Sequence, residues 1–224
     1  MRQTIYLLHI GKTGGSALKY TLNDIAGSHG IVLCRHKTVL ADVPHGQRVA
    51  FSTRDPIGRF VSGFNSRLRK GMPHAMNEWS AAERVAFERF RTPNELAEAL
   101  SSTDISLRDA AEMAMRSIRH VAEPLKKWLV SPEYVRSRSD DIAFVFDQAH
   151  LAADFIVFKR LLGVPDDLCL PTDPAAGHKT PPGFSQELTA SARQNLERWY
   201  AGDFPIYTAC LQMRDDRLRG LSAA

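Results

Sequence analysis

The chain has 224 residues, 44% of them hydrophobic, which suits one globular domain or one domain carrying an inserted helical part. Lysine and arginine exceed aspartate and glutamate by 29 to 25, an excess that favours anionic ligands but is too small to indicate nucleic acid. No apolar run reaches the roughly 18 residues of a membrane span, the opening residues lack a signal-peptide pattern, and three scattered cysteines without a CxxC fit reduced thiols better than a disulfide framework or a zinc knuckle. The expectation is a cytoplasmic protein without an integral membrane segment; the oligomeric state is left open.

Residues 4–9 (TIYLLH) are short and β-rich and predict a buried strand. Gly14 and Gly15 interrupt it, and Leu18, Leu22 and Ile25 then recur at helical spacing, giving strand, turn and helix. Further strands are predicted at 30–34 (GIVLC) and 49–53 (VAFST). The second of these runs straight into Arg54-Asp55-Pro56, where proline opens a helix. In that helix Ile57, Val61, Phe64 and Leu68 form an apolar stripe, with Arg59, Ser62 and Ser66 opposite. Residues 76–137 predict helices divided by Pro93, Pro124 and Pro132. A strand at 142–146 (IAFVF) precedes a helix over 151–162, and the Pro-, Gly- and Asp-rich segment 163–184 predicts a long loop. Ser185 then reads as the N-cap of a helix carrying Leu188, Ala192, Leu196 and Trp199 on one face. Strands alternating with helices predict an α/β fold with a mostly parallel central sheet, one domain over 1–224 with a helical insertion at about 76–137.

The stretch IYLLHIGKTGGSALKYTL contains Gly-Lys-Thr after an apolar run, as a nucleotide-binding Walker A loop would. That loop also needs a glycine five residues before Gly11, and Tyr6 stands there, inside the strand. What remains is a tight turn in which Gly14, Gly15 and Ser16 bring backbone N–H groups to one anion. The positive end of the following helix and the charge of Lys12 add to it. Such a turn suits one phosphate rather than a chain of three; an ordinary glycine-rich βα turn with a solvated lysine is the plainer alternative. The second segment, STRDPIGRFVSGFNSRLRKG, places Arg54 at the C-terminal end of another strand, the edge where open α/β sheets bind ligands. Arg54 offers a bidentate fork and Ser62 a hydroxyl. Five basic residues against one acid between Arg54 and Lys70 fit either an anion site or a solvated basic helix.

Together the two segments resemble the sulfotransferases that use 3′-phosphoadenosine-5′-phosphosulfate (PAPS). HIGKTGGSAL is similar to their 5′-phosphosulfate loop and RDPIGRFVSGF to their 3′-phosphate motif, most closely in the branch of the heparan-sulfate 2-O- and 6-O-sulfotransferases and short bacterial relatives. Softer likeness runs through VFDQAHLAADFIVFKRLLGV to ERWYAGDFPIY. Gly11 stands where proline is usual and Phe64 where tyrosine is common, and neither change removes a ligand group. The resemblance implies a P-loop-like three-layer fold with a helical region on the acceptor side. It implies that Lys12 holds the 5′-phosphate and the bridging oxygen, and that the backbone of Gly14, Gly15, Ser16 and Ala17 cradles that phosphate with the hydroxyls of Thr13 and Ser16. Arg54 and Ser62 would hold the 3′-phosphate, and the 178–184 loop, with Lys179, would be a lid near the nucleotide or a plain surface loop.

Sulfuryl transfer needs a cation on the leaving phosphate and a base for the acceptor hydroxyl. Lys12 suits the first role, and His36 is taken for the second. It follows the predicted strand 30–34, at the edge where Lys12 and Arg54 emerge, and resembles a histidine that this branch carries there. An imidazole is suited to accept a proton near neutrality. His9, on the first strand, reads as a residue buried beside the site, and Glu78 or Glu83 is the fallback base. No metal-ligand spacing is present, and the chemistry requires no metal. The expected partner is a hydroxyl-bearing acceptor, carbohydrate or small molecule. Two other readings stand: a small-molecule kinase using ATP, and a non-catalytic module binding 3′-phosphonucleotides or polyanions.

Overall fold

The computed structural model describes residues 4–73, 76–164, 167–173 and 180–222. In chain order the elements are β1 (Ile5–Leu8), α1 (Gly15–Leu22), β2 (Ile31–Leu33), β3 (Arg48–Thr53), α2 (Pro56–Leu68), α3 (Ala81–Arg89), α4 (Pro93–Ala99), α5 (Ile105–Ser117), α6 (Lys126–Leu129), α7 (Pro132–Ser137), β4 (Ile142–Asp147), α8 (Leu151–Leu162), α9 (Ala190–Trp199) and α10 (Asp203–Ser222). They fall into two compact units. The first comprises 1–54, 125–178 and 202–224; the second comprises 55–124 and 179–201.

The first unit is built on a parallel four-stranded sheet in the order β2-β1-β3-β4. Each strand is a short apolar run because helices cover both sheet faces and leave little room for polar side chains. Residue alternation sorts the strands between two cores. Leu8, Val49, Phe51 and Val145 pack with Trp128 and Leu129 of α6, Val135 of α7 and Ile206, Ala209 and Cys210 of α10. Ile5, Leu7, Ala50, Phe144 and Phe146 pack with Leu18 and Leu22 of α1 and Phe155, Phe158 and Leu162 of α8. The β3–β4 register slips between Val49–Ile142 and Ala50–Phe144, so Ala143 is an extra residue, a bulge that puts Ala143 and Phe144 on the same face.

The second unit is helical, and its helices start where capping chemistry starts them. Asp55 caps α2 through Gly58 N–H at 2.6 Å, with Pro56 in the first turn. Ser80–Glu83 and Thr92–Glu95 form capping boxes on α3 and α4.

Two sequence expectations are corrected in this unit. The cap of α9 is Thr189, not Ser185: its hydroxyl accepts from Ala192 N–H at 3.2 Å and donates to Glu98 at 2.7 Å, while Asn94 takes its N–H. The face of α2 expected to be polar is buried: Arg59 and Ser66 are enclosed, as is Arg67, whereas Leu68 is only half-buried. Arg67 tolerates burial because Glu83 takes it in a two-pronged pair, both contacts at 2.7 Å.

Candidate functional site

In the first unit the chain leaves β1 for β2 on one side and returns to place β3 on the other. The topological switch point therefore lies between β1 and β3, and ligands of open α/β sheets bind in the crevice outside the carboxyl ends there. The turn after β1 carries Lys12 to Ser16, and the residue after β3 is Arg54. The two expected phosphate segments thus emerge side by side, from strands paired as Leu8 with Phe51.

A buried hydrogen bond clasps them. Thr13 Oγ1 lies 3.0 Å from the carbonyl of Ile10 and 2.7 Å from Ser52 Oγ, with Thr13 and Ser52 both fully enclosed. A hydroxyl has one proton. The Ile10 carbonyl can only accept, so Thr13 donates to it and Ser52 donates to Thr13. In this arrangement the Thr13 proton goes to Ile10, and the hydroxyl serves as the clasp of the turn.

Lys12 sits at φ 68° and is half-buried. A left-handed backbone at a lysine costs on the order of 1–3 kcal/mol, a strain that collects at functional sites. Gly14, the N-cap of α1, has φ 93°, and a Cβ there would stand 2.9 Å from Leu151 Cδ2. A Cβ on Gly15 would stand 2.9 Å from His9 Cδ2. Both glycines are thus demanded by the protein's own packing. The case for an anion rests instead on the N–H groups of Gly15 and Ser16, which have no intrahelical acceptor by helix geometry, on the Ser16 hydroxyl and on Lys12. The Ala17 N–H is already directed at the Gly14 carbonyl at 3.1 Å.

His36 lies in an exposed turn beyond β2. Its ring stacks on that of buried His9 with centroids 3.6 Å apart, and His9 Nε2 lies 3.4 Å from Ser16 Oγ. The structure thus brings His36 to the turn after β1 through a residue that sequence patterns do not connect to it. Beside it, burial pushes the Cys34 thiol above its ordinary value while Lys19 opposes the shift, so Cys34 is no poised nucleophile.

Ser62 is a half-buried residue in the second turn of α2, within the second unit. Glu83, the fallback base, is withdrawn by its environment: its carboxylate is buried and accepts from Arg67, Ser80 N–H and Arg119 N–H. Glu78 is exposed and paired with Lys70 at 2.7 Å. Lys179 lies outside the described residues.

Comparison of the chain with family models, curated proteins and solved structures finds no match. Among the described residues no helix is long and apolar enough to cross a membrane, and no three His, Cys, Asp or Glu side chains are grouped to hold a metal ion.

One acid at the same sheet edge escaped the sequence reading. Asp147 ends β4, buried, and accepts from Ala149 N–H and Tyr207 O–H, each at 3.4 Å. The signal was in IAFVFD, a strand closed by a carboxylate.

Proposed function

We propose that the chain is a PAPS-dependent sulfotransferase with a P-loop-like fold, moving a sulfuryl group to an acceptor hydroxyl and releasing the 3′,5′-bisphosphate PAP. The observation that carries the reading is the Thr13–Ser52 clasp. It joins the turn resembling the 5′-phosphosulfate loop to the segment ending in Arg54, at the switch point where ligands bind.

In this reading the acceptor oxygen attacks sulfur as the bond from sulfur to the bridging phosphate oxygen breaks, in line. The acceptor proton passes to the His36 imidazole. Negative charge grows on the departing 5′-phosphate, where Lys12 and the Gly15 and Ser16 N–H groups meet it. Arg54 gives the 3′-phosphate a planar cationic partner, a group that ATP has nothing to offer in return.

Thermal unfolding with PAP, PAPS, ATP and AMP tests the assignment. PAP and PAPS should raise the melting temperature far more than ATP or AMP at equal concentration. Equal shifts with ATP and PAP would remove the sulfotransferase reading. They would promote the kinase reading, which Asp147 at the sheet edge favours. Release of PAP only when an acceptor is present separates an enzyme from a binding module, and a screen of acceptor classes then names the substrate.

A further inference from the structure

His9 and His36 leave neighbouring strands at one sheet edge. The β1–β2 register pairs Leu7 with Leu33, and just past the strand ends the two imidazoles meet, centroids 3.6 Å apart and planes inclined by 30°. The partners are unequal. His9 is 8% exposed, whereas His36 is exposed on its turn. The His9 ring edge fills the space that a Cβ of Gly15 would need, 2.9 Å from Cδ2, and its Nε2 lies 3.4 Å from Ser16 Oγ. One ring is therefore built into the phosphate turn, and the other rests on it.

The backbone around His36 is tied down separately. Trp128, itself buried, donates its indole N–H to the His36 carbonyl at 2.9 Å, and Lys19 of α1 donates to the Cys34 carbonyl at 3.2 Å. These contacts fix where the turn runs. The His9 face bears on the His36 ring itself, stacked on it at 3.6 Å. Aromatic stacking is comparable with the rotamer entropy lost when one exposed side chain is ordered.

We propose that His9 is the positioning residue for His36. Its buried ring, wedged against Gly15 and Ser16, is the platform that holds the His36 imidazole at a fixed place relative to the phosphate turn. What His36 does there rests on the sulfotransferase reading; how it is held does not. A base must come within about 2.6–3.2 Å of the proton it takes, and a 1 Å misplacement costs on the order of 100-fold in rate. Because the platform is part of the same turn that would receive the 5′-phosphate, donor and base are located by one rigid piece. His9 transfers no proton in this scheme, so an aromatic face without nitrogen should replace it.

Four variants and three readouts decide the matter. His9→Ala should lower kcat by about 10- to 100-fold while the PAP dissociation constant stays within about threefold. His9→Phe keeps a flat ring of similar size and should hold kcat within about threefold of wild type. In the His9→Ala background, adding His36→Ala should cost far less than His36→Ala alone, since residues acting as one unit are not additive. Independently of any turnover, the His36 ring protons should carry a ring-current shift in the NMR spectra of wild type and His9→Phe that disappears in His9→Ala. Unchanged kcat in a folded His9→Ala protein would overturn the proposal, as would an unchanged His36 shift. Equal losses in His9→Phe and His9→Ala would assign the role to the ring nitrogens instead, and a matching loss of PAP affinity would reduce His9 to a support of the turn. A wild-type protein that neither binds PAP nor transfers sulfuryl sinks the sulfotransferase reading alone, because the NMR comparison still reports whether His9 holds His36.

Discussion

Glu83→Gln should be among the most damaging single changes in the helical unit, although it removes only a charge. Glu83 accepts from Arg67 Nε and Nη2 at 2.7 Å each, from Ser80 N–H at 2.9 Å and from Arg119 N–H at 3.1 Å. Only 5% of its side chain and 6% of that of Arg67 are exposed. Burial alone would raise its pKa, but the hydrogen bonds from Arg67, Ser80 and Arg119 outweigh that and lower it from 4.5 to about 2. At 1.36 kcal/mol per unit the carboxylate contributes about 3 kcal/mol to folding near neutrality. The folded pKa is depressed, so this contribution is present above pH 4.5 and is lost as pH falls toward 2. Breaking a buried pair from one side costs about 3–5 kcal/mol because the other charge is left stranded, an independent figure that agrees. Urea unfolding of wild type and Glu83→Gln at pH 7 and at pH 3 measures both effects. The variant should be about 3–5 kcal/mol less stable at pH 7, with the gap narrowing in acid. Arg67→Met combined with Glu83→Leu should recover much of the loss, since an apolar pair strands no charge. A variant within 1 kcal/mol of wild type at pH 7, or a gap independent of pH, would refute the reasoning.

The remaining expectations concern the sheet edge. Lys12→Ala should lower kcat by about 100-fold or more and PAP affinity much less, because its charge matters most as the leaving phosphate becomes anionic; single-turnover and binding measurements separate the two. Arg54→Ala should weaken PAP binding by about 1.5–3 kcal/mol in calorimetry and leave ATP binding nearly unchanged, the loss expected of hydrogen bonds to a charged group. Thr13→Val should cost about 1–3 kcal/mol of stability by stranding the Ser52 hydroxyl, and a cycle with Ser52→Ala should show that the two losses are coupled. Gly15→Ala should displace His9 and destabilise the fold, visible as a lowered melting temperature, since its Cβ would meet His9 Cδ2 at 2.9 Å.

What was legible in the sequence follows the range of the forces involved. The four strands were readable because each is a short apolar run sealed between helices, and their ends moved by only a residue or so. Helix starts were readable where one local residue decides, as at Asp55-Pro56. Ser185 misled because it is as good a cap as Thr189 by its own chemistry. The choice falls to Thr189 through Asn94 and Glu98, some 90 residues away. The burial of Arg67, outside both faces expected of α2, was illegible for a similar reason: it is hydrophilic until Glu83, on another helix, pairs with it and allows it inside.

The candidate site was legible as residues but not as an assembly. Lys12 and Arg54 could be placed at one sheet edge from strand-and-turn patterns alone, yet strand order is a long-range property, and it is strand order that puts them at a switch point. The roles within the turn also depend on partners that no local pattern names. Thr13 belongs to a motif whose hydroxyl was expected to face a phosphate. Here its hydroxyl is engaged by Ser52 and the Ile10 carbonyl. Glycines 14 and 15 look like space for a ligand, but the space is taken by Leu151 and His9. Those substitutions of role are what join the turn after β1, the end of β3 and His36 at one sheet edge. A turn that spent all its small and polar residues on the ligand would have nothing left to hold itself against β3 and the end of β2.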